Sequence, residues 1–114
     1  VGGGYDHCFV IDRGRGASQS LCAWASSDKT GISMKVYTTQ PGVQLYTGNF
    51  LQDCPAPGKG GVPMRKYGGF ALETQHFPCS PSHPEFPSTA LRAGKVFRAN
   101  TTLRFFTGKQ CGKL

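Results

Sequence analysis

The side chains in this chain able to move protons, attack carbonyls or hold a metal are few: six carboxylates, three histidines and five cysteines. Asp28 and Asp53 sit in polar turns and Asp12 borders Arg13-Gly14, all ordinary solvated settings. Asp6 and Glu73 differ, because each lies inside or beside an apolar, aromatic stretch. A carboxylate in such surroundings must be paired, protonated or functional. Patterning by itself favours a satisfied buried carboxylate at both positions. Glu73 has the sharper context, Phe70-Ala71-Leu72-Glu73-Thr74-Gln75-His76. A carboxylate at a strand end among aromatic neighbours acts as a general base when its pKa suits the task. Gln44 stands beside Tyr46 in an aromatic strand, and an amide so presented can hold sugar hydroxyls because it donates and accepts together. The commoner role of such a residue is an exposed strand amide.

The remaining candidates are weaker. His76 precedes Phe77-Pro78 and suits a structural role, and His83 lies solvated in a proline-rich loop. No Ser-His-Asp or Cys-His constellation can be assigned from order alone. Cys8, Cys22, Cys54, Cys79 and Cys111 are odd in number and scattered, with no C-x-x-C pair. That spacing argues against a disulfide framework or a zinc site, and for free thiols in a reducing cytosol. Lys59-Gly60-Gly61 lacks the spacing of a phosphate-binding loop. Asn100-Thr101-Thr102 is a glycosylation sequon, expected to be no more than a polar strand segment.

The elements that must position these residues are strands and turns. Tyr5 to Ile11 is short, aromatic and β-branched, and Gly14-Arg15-Gly16 breaks it. Leu21 to Ala25, Met34 to Thr39 and Val43 to Thr47 follow as strands, with Pro41-Gly42 as a turn between the last two. Residues 53–63 carry three prolines and three glycines and form an exposed loop. Gly69 to Thr74 is strand-like, and four prolines from Pro78 to Pro87 exclude regular structure there. In the last strand Phe97, Ala99, Thr101, Leu103 and Phe105 share one face, leaving Arg98, Asn100, Thr102 and Arg104 on a face turned outward. No segment has helical periodicity. The expected class is all-β, a sandwich with long loops.

Composition bounds the function. The 114 residues fit one domain or a piece of a larger one. No apolar stretch is long enough to span a membrane. The net charge of +7 raises the question of nucleic acid. After Glu85 the basic residues Arg92, Lys95, Arg98, Arg104, Lys109 and Lys113 are spread along the chain, and no nucleic-acid motif accompanies them. A solvated basic face is therefore expected, with no nucleic-acid or membrane partner. Val1-Gly2-Gly3-Gly4 has neither an initiator Met nor the regions of a signal peptide, which suggests missing upstream sequence.

Three segments carry a family resemblance. They are Gly4-Tyr5-Asp6-His7-Cys8-Phe9, the run from Tyr37 through Thr38-Thr39-Gln40-Pro41-Gly42 to Leu51, and Gly69 to Gln75 with Pro78, Pro84-Glu85-Phe86-Pro87 and Leu91. In order and spacing, from Gly4 to Phe105, the chain resembles the C-terminal part of the aldose 1-epimerase (galactose mutarotase) family. The resemblance implies a β-supersandwich of which residues 1–114 are the C-terminal part. It implies a cytoplasmic isomerase that interconverts the α and β anomers of hexoses such as galactose and glucose, its partner a small-molecule aldose, with no cofactor and no metal. The alternative is a non-catalytic carbohydrate-binding or interaction module of the same fold. Glu73 would be the catalytic base, and Asp6 and Gln44 would bind sugar hydroxyls. The family's general-acid histidine lies upstream of the residues present here, and His7 does not match it. Cys79 stands where the family has Asp, Ser82 where it often has Asn, and Ile32 where Arg commonly follows Gly31. The tail from Thr107 to Leu114 is unlike the family. A supersandwich divided here would leave strand edges and core exposed, to be covered by the missing N-terminal part or by self-association.

Overall fold

A computed structural model describes residues 3–14 and 18–107. The described residues form six strands: β1 Asp6–Val10, β2 Ser20–Ser26, β3 Ile32–Thr38, β4 Gly42–Tyr46, β5 Ala71–Gln75 and β6 Thr101–Thr107. Three single-turn 3-10 segments interrupt the loops, and there is no α-helix among the described residues. Two antiparallel sheets result, one ordered β1-β4-β5 and the other β2-β3-β6. The all-β class and the long loops, 47–70 and 76–100, agree with the sequence. Arg15, Gly16 and most of the tail, including Cys111, lie outside the described residues.

The chain changes sheets at Thr39-Gln40-Pro41, running from the central strand of one directly into the central strand of the other. Proline has no N–H for a ladder, so β3 ends before it. The Pro41 carbonyl is used instead as acceptor for Ile11 N at 3.0 Å. Thr38 is wholly buried at this corner. Its hydroxyl donates to Asn100 O at 3.1 Å and accepts from Gln40 N at 3.1 Å. Thr74 of β5 and Thr101 of β6 share a hydrogen bond of 2.6 Å, which ties the two sheets together. The Thr-Thr-Gln-Pro-Gly run is thus the hinge that sets β4, and with it Gln44, against the neighbouring strands.

The last strand departs from expectation twice. It starts at Thr101, not at Phe97, because both backbone groups of Asn100 are taken at the corner: its N–H by Thr39 Oγ1 and its carbonyl by Thr39 N, each at 3.0 Å. Nor is its apolar face more protected than its polar one. Leu103 and Phe105 are 51% and 65% exposed, although they pair with Val36 and Met34 of β3. Val36 on the same face is only 1% exposed because it lies in the centre of the sheet. β6 is an edge strand that described residues cover only in part: Thr74 meets Thr101 at its start, and Phe70 borders an apolar cleft with Ile32, Met34 and Phe105. Among the described residues only Ile11, Val36 and Val43 are buried apolar side chains.

The loop after β4 folds back on a glycine. Gly48 has φ +72°, and a Cβ there would stand 2.5 Å from the Gly69 carbonyl oxygen. Its own carbonyl accepts Leu51 N at 3.3 Å and Tyr67 N at 2.9 Å. Left-handed backbone and a backbone clash together should make Gly48→Ala cost about 2–4 kcal/mol of local stability. The expected sign is faster hydrogen exchange at the Tyr67 and Leu51 amides, and unchanged exchange at both would refute this account.

Candidate active site

The register of the first sheet decides which side chains meet. β1 pairs with β4 so that Cys8 lies opposite Gln44 and Asp6 opposite Tyr46. β4 pairs with β5 so that Gln44 lies opposite Glu73 and Tyr46 opposite Ala71. Directly opposed residues in an antiparallel pair share a face, and so do residues two apart on a strand. Asp6, Cys8, Gln44, Tyr46, Ala71 and Glu73 therefore share one face of one sheet. The other face, carrying Val43 and Thr74, is the one tied to β6. All three sequence-predicted site residues are brought together, on the side turned away from the second sheet.

Gln44 sits at the centre of the group. Its Nε2 donates to Asp6 Oδ1 at 2.7 Å. A carboxylate only accepts, so this bond fixes which end of the amide is nitrogen. The other end, Oε1, is buried and has no hydrogen-bond partner among the described residues. A buried acceptor without a donor costs free energy until one arrives. Glu73, directly across, is exposed and makes no hydrogen bond or ion pair with any described residue. The expectation of satisfied buried carboxylates is thus corrected at both positions. Asp6 and Glu73 are both exposed, because their apolar neighbours along each strand point to the opposite face. Gln44 is likewise not an exposed strand amide but a half-buried one, held by Asp6.

The end of the long signature supports this group from one side. Asn49 is buried, accepts the Thr47 hydroxyl at 2.7 Å and donates from Nδ2 to Tyr5 O at 3.0 Å. Tyr5 N donates in turn to Thr47 Oγ1 at 2.8 Å. These bonds pin the residue just before Asp6. A buried amide with both ends satisfied holds its neighbours in one geometry.

The described histidines lie elsewhere. His7 projects to the face opposite Asp6 by strand alternation, and its Nδ1 accepts Asp6 N at 3.0 Å. His76 lies past the end of β5, with its ring 6.1 Å from Phe97. His83 is paired with Glu85 at 2.9 Å and stacked on Phe86, so it is engaged within its loop and not merely solvated. Cys79, at φ 58°, caps a 3-10 turn without a side-chain hydrogen bond. That backbone region favours Asp and Asn among non-glycine residues. Among the described residues no group of three or more His, Cys, Asp or Glu converges as a metal-holding set, and no helix is long and apolar enough to cross a membrane.

Two members of this face were not singled out as site residues in the sequence. Tyr46 stands in the sequence only as a neighbour of Gln44, and its partners across the sheet, Asp6 and Ala71, are set by register. Cys8 lies directly opposite Gln44, and burial pushes its thiol above the ordinary range, partly offset by the Gln75 amide at 3.9 Å. A thiol so shifted stays protonated and is a poor nucleophile.

Comparison with known proteins bears on this arrangement. The aldose 1-epimerase family profile matches residues 2–104. Galactose mutarotase of Rattus norvegicus is 41% identical over 102 residues, a stretch covering 90% of this chain and 29% of that protein. The Homo sapiens galactose mutarotase gives the same identity and coverage. Aldose 1-epimerase of Escherichia coli (strain K12) is 38% identical over 105 residues. The chain thus spans 29% of the length of these relatives.

Proposed function

Because the chain belongs to the aldose 1-epimerase family, we propose that it forms the C-terminal part of an enzyme that interconverts the anomers of a hexose such as galactose or glucose. The observation carrying this reading is the uncommitted carboxylate of Glu73 set directly across from a Gln44 that Asp6 holds in place. Glu73 takes the proton from the anomeric hydroxyl. A histidine contributed by sequence upstream of Val1 gives a proton to the ring oxygen, and the ring carbon–oxygen bond breaks. The aldehyde turns about its bond to the next carbon, and the hydroxyl closes on its other face with both protons returned. Gln44 and Asp6, joined by their own hydrogen bond, hold sugar hydroxyls. No cofactor enters this scheme. The compartment that suits it is the cytoplasm, and its partner is a small-molecule aldose.

The same upstream part would cover the apolar surface around Leu103 and Phe105. Polarimetry of freshly dissolved α-galactose tests the reading. The chain alone should leave the spontaneous rate nearly unchanged. Joined behind the preceding portion of a mutarotase relative, it should restore fast exchange. Rapid exchange by the chain alone would overturn the need for an upstream proton donor, and a joined protein that folds but stays inert would overturn the proposal.

One observation favours a second reading. None of the described histidines shares the face of Glu73, which suits a module that binds sugar without catalysis. That module would leave the joined protein inert while still binding galactose.

A further inference from the structure

Next to the carboxylates the same face of the sheet runs into a cleft of about 610 Å³. Tyr46 and Ala71, each two residues from Gln44 and Glu73 on its strand, form the near wall. Strand geometry sets that step at about 7 Å. Leu51, Met64 and Phe70 make an apolar lining, and Lys59 and Arg65 are its only charged residues. Neither cation has a carboxylate partner among the described residues. The loop that carries them is tied in place. Gly58 N donates to Val62 O at 2.8 Å, Gly68 N to Arg65 O at 2.8 Å, and the Tyr67 hydroxyl to Gly3 O at 2.7 Å.

We propose that this cleft receives an anionic substituent of the sugar, a phosphate or carboxylate carried by the aldose at the end remote from its anomeric carbon. The proposal rests on the sugar-binding reading above and extends it to substrate class. Its basis is charge placement. Asp6 and Glu73 repel an anion at one end of the face, and Lys59 and Arg65 attract it at the other. A neutral polyol with an anionic tail then has one favoured orientation, with its anomeric hydroxyl at Glu73. Arg65 offers a forked donor set that matches phosphate or carboxylate oxygens, and Lys59 adds a point charge. Apolar walls lower the local dielectric and strengthen both contacts.

Calorimetric titration of the full chain tests this with galactose, galactose 6-phosphate, galacturonate, lactose and inorganic phosphate, at low and high salt. Galactose 6-phosphate and galacturonate should bind about tenfold more tightly than galactose at low salt. That preference should shrink as salt rises. In the double variant Lys59→Ala/Arg65→Ala the ratio of the affinities for galactose 6-phosphate and galactose should fall to about one. A preference that survives the double substitution or high salt overturns the proposal, as does an equal gain for neutral lactose or equally tight binding of inorganic phosphate. The salt series on the unsubstituted chain keeps the test valid if the variant misfolds. If galactose binds and only the anionic preference is missing, the cleft assignment falls and the sugar site stands. If no sugar of the series binds to the chain, the same series is run on the joined protein of the activity test, and absence of binding there overturns both.

Discussion

Glu73→Gln should lower kcat for anomer exchange by about 10²–10⁴, the range that a positioned proton-transfer group supplies, in a protein that also carries the proton donor. The substitution keeps shape and hydrogen-bonding reach while removing the ability to take a proton. Glu73 is exposed and unpaired among the described residues, so little of the fold depends on its charge. Stability should therefore hold, and binding of galactose should change far less than turnover. That split between kcat and affinity separates a base from a residue that only positions the sugar. Gln44→Ala should show the reverse balance, because it removes the central amide from the Asp6 contact and leaves the base in place. Polarimetric rates for Glu73→Gln within a few-fold of the unsubstituted protein would sink the assignment.

The second large effect concerns the chain by itself. It should associate with itself and lack a sharp cooperative melt. Its radius of gyration is 16.7 Å, against about 13 Å for a compact domain of this length. Few apolar side chains are buried, while Trp24, Ile32, Phe70, Leu103 and Phe105 are exposed. Among the described residues both sheets also end in unpaired edges, at β1 and β5 in one and at β2 and β6 in the other. Apolar surface and unpaired backbone of this kind drive association until something covers them. Light scattering behind size exclusion should show mass rising with concentration, and calorimetry a broad or absent transition. A monodisperse monomer with a sharp endotherm would contradict the prediction. The face of Asp6, Gln44 and Glu73, proposed above to bind sugar, lies on the far side of its sheet from the β6 contact, so association through the apolar surface leaves it open.

Much of this protein is written in local sequence. Alternation, turn residues and proline clusters placed all six strands and both long loops, because period-two patterning and missing proline N–H groups act within a few residues. The three candidate site residues stood out locally too, and a family resemblance assigned them roles. Other features depended on contacts far apart in the chain. That Asp6, Gln44 and Glu73 share a face follows from the pairing of β1 and β5 on either side of β4, and a slip of one residue in either pairing would part them. Whether a carboxylate is buried depends on what packs over its face, so the aromatic neighbours of Glu73 misled where alternation turned them away. The same holds for β6. Its apolar stripe was plain in the sequence, but burial needs a full layer above it, and the described residues cover it only in part. Local sequence thus determined the strands and the chemical types at the site. Tertiary structure alone decided that they converge, that Gln44 keeps an acceptor without a partner among the described residues, and that Glu73 is exposed and unpaired among them.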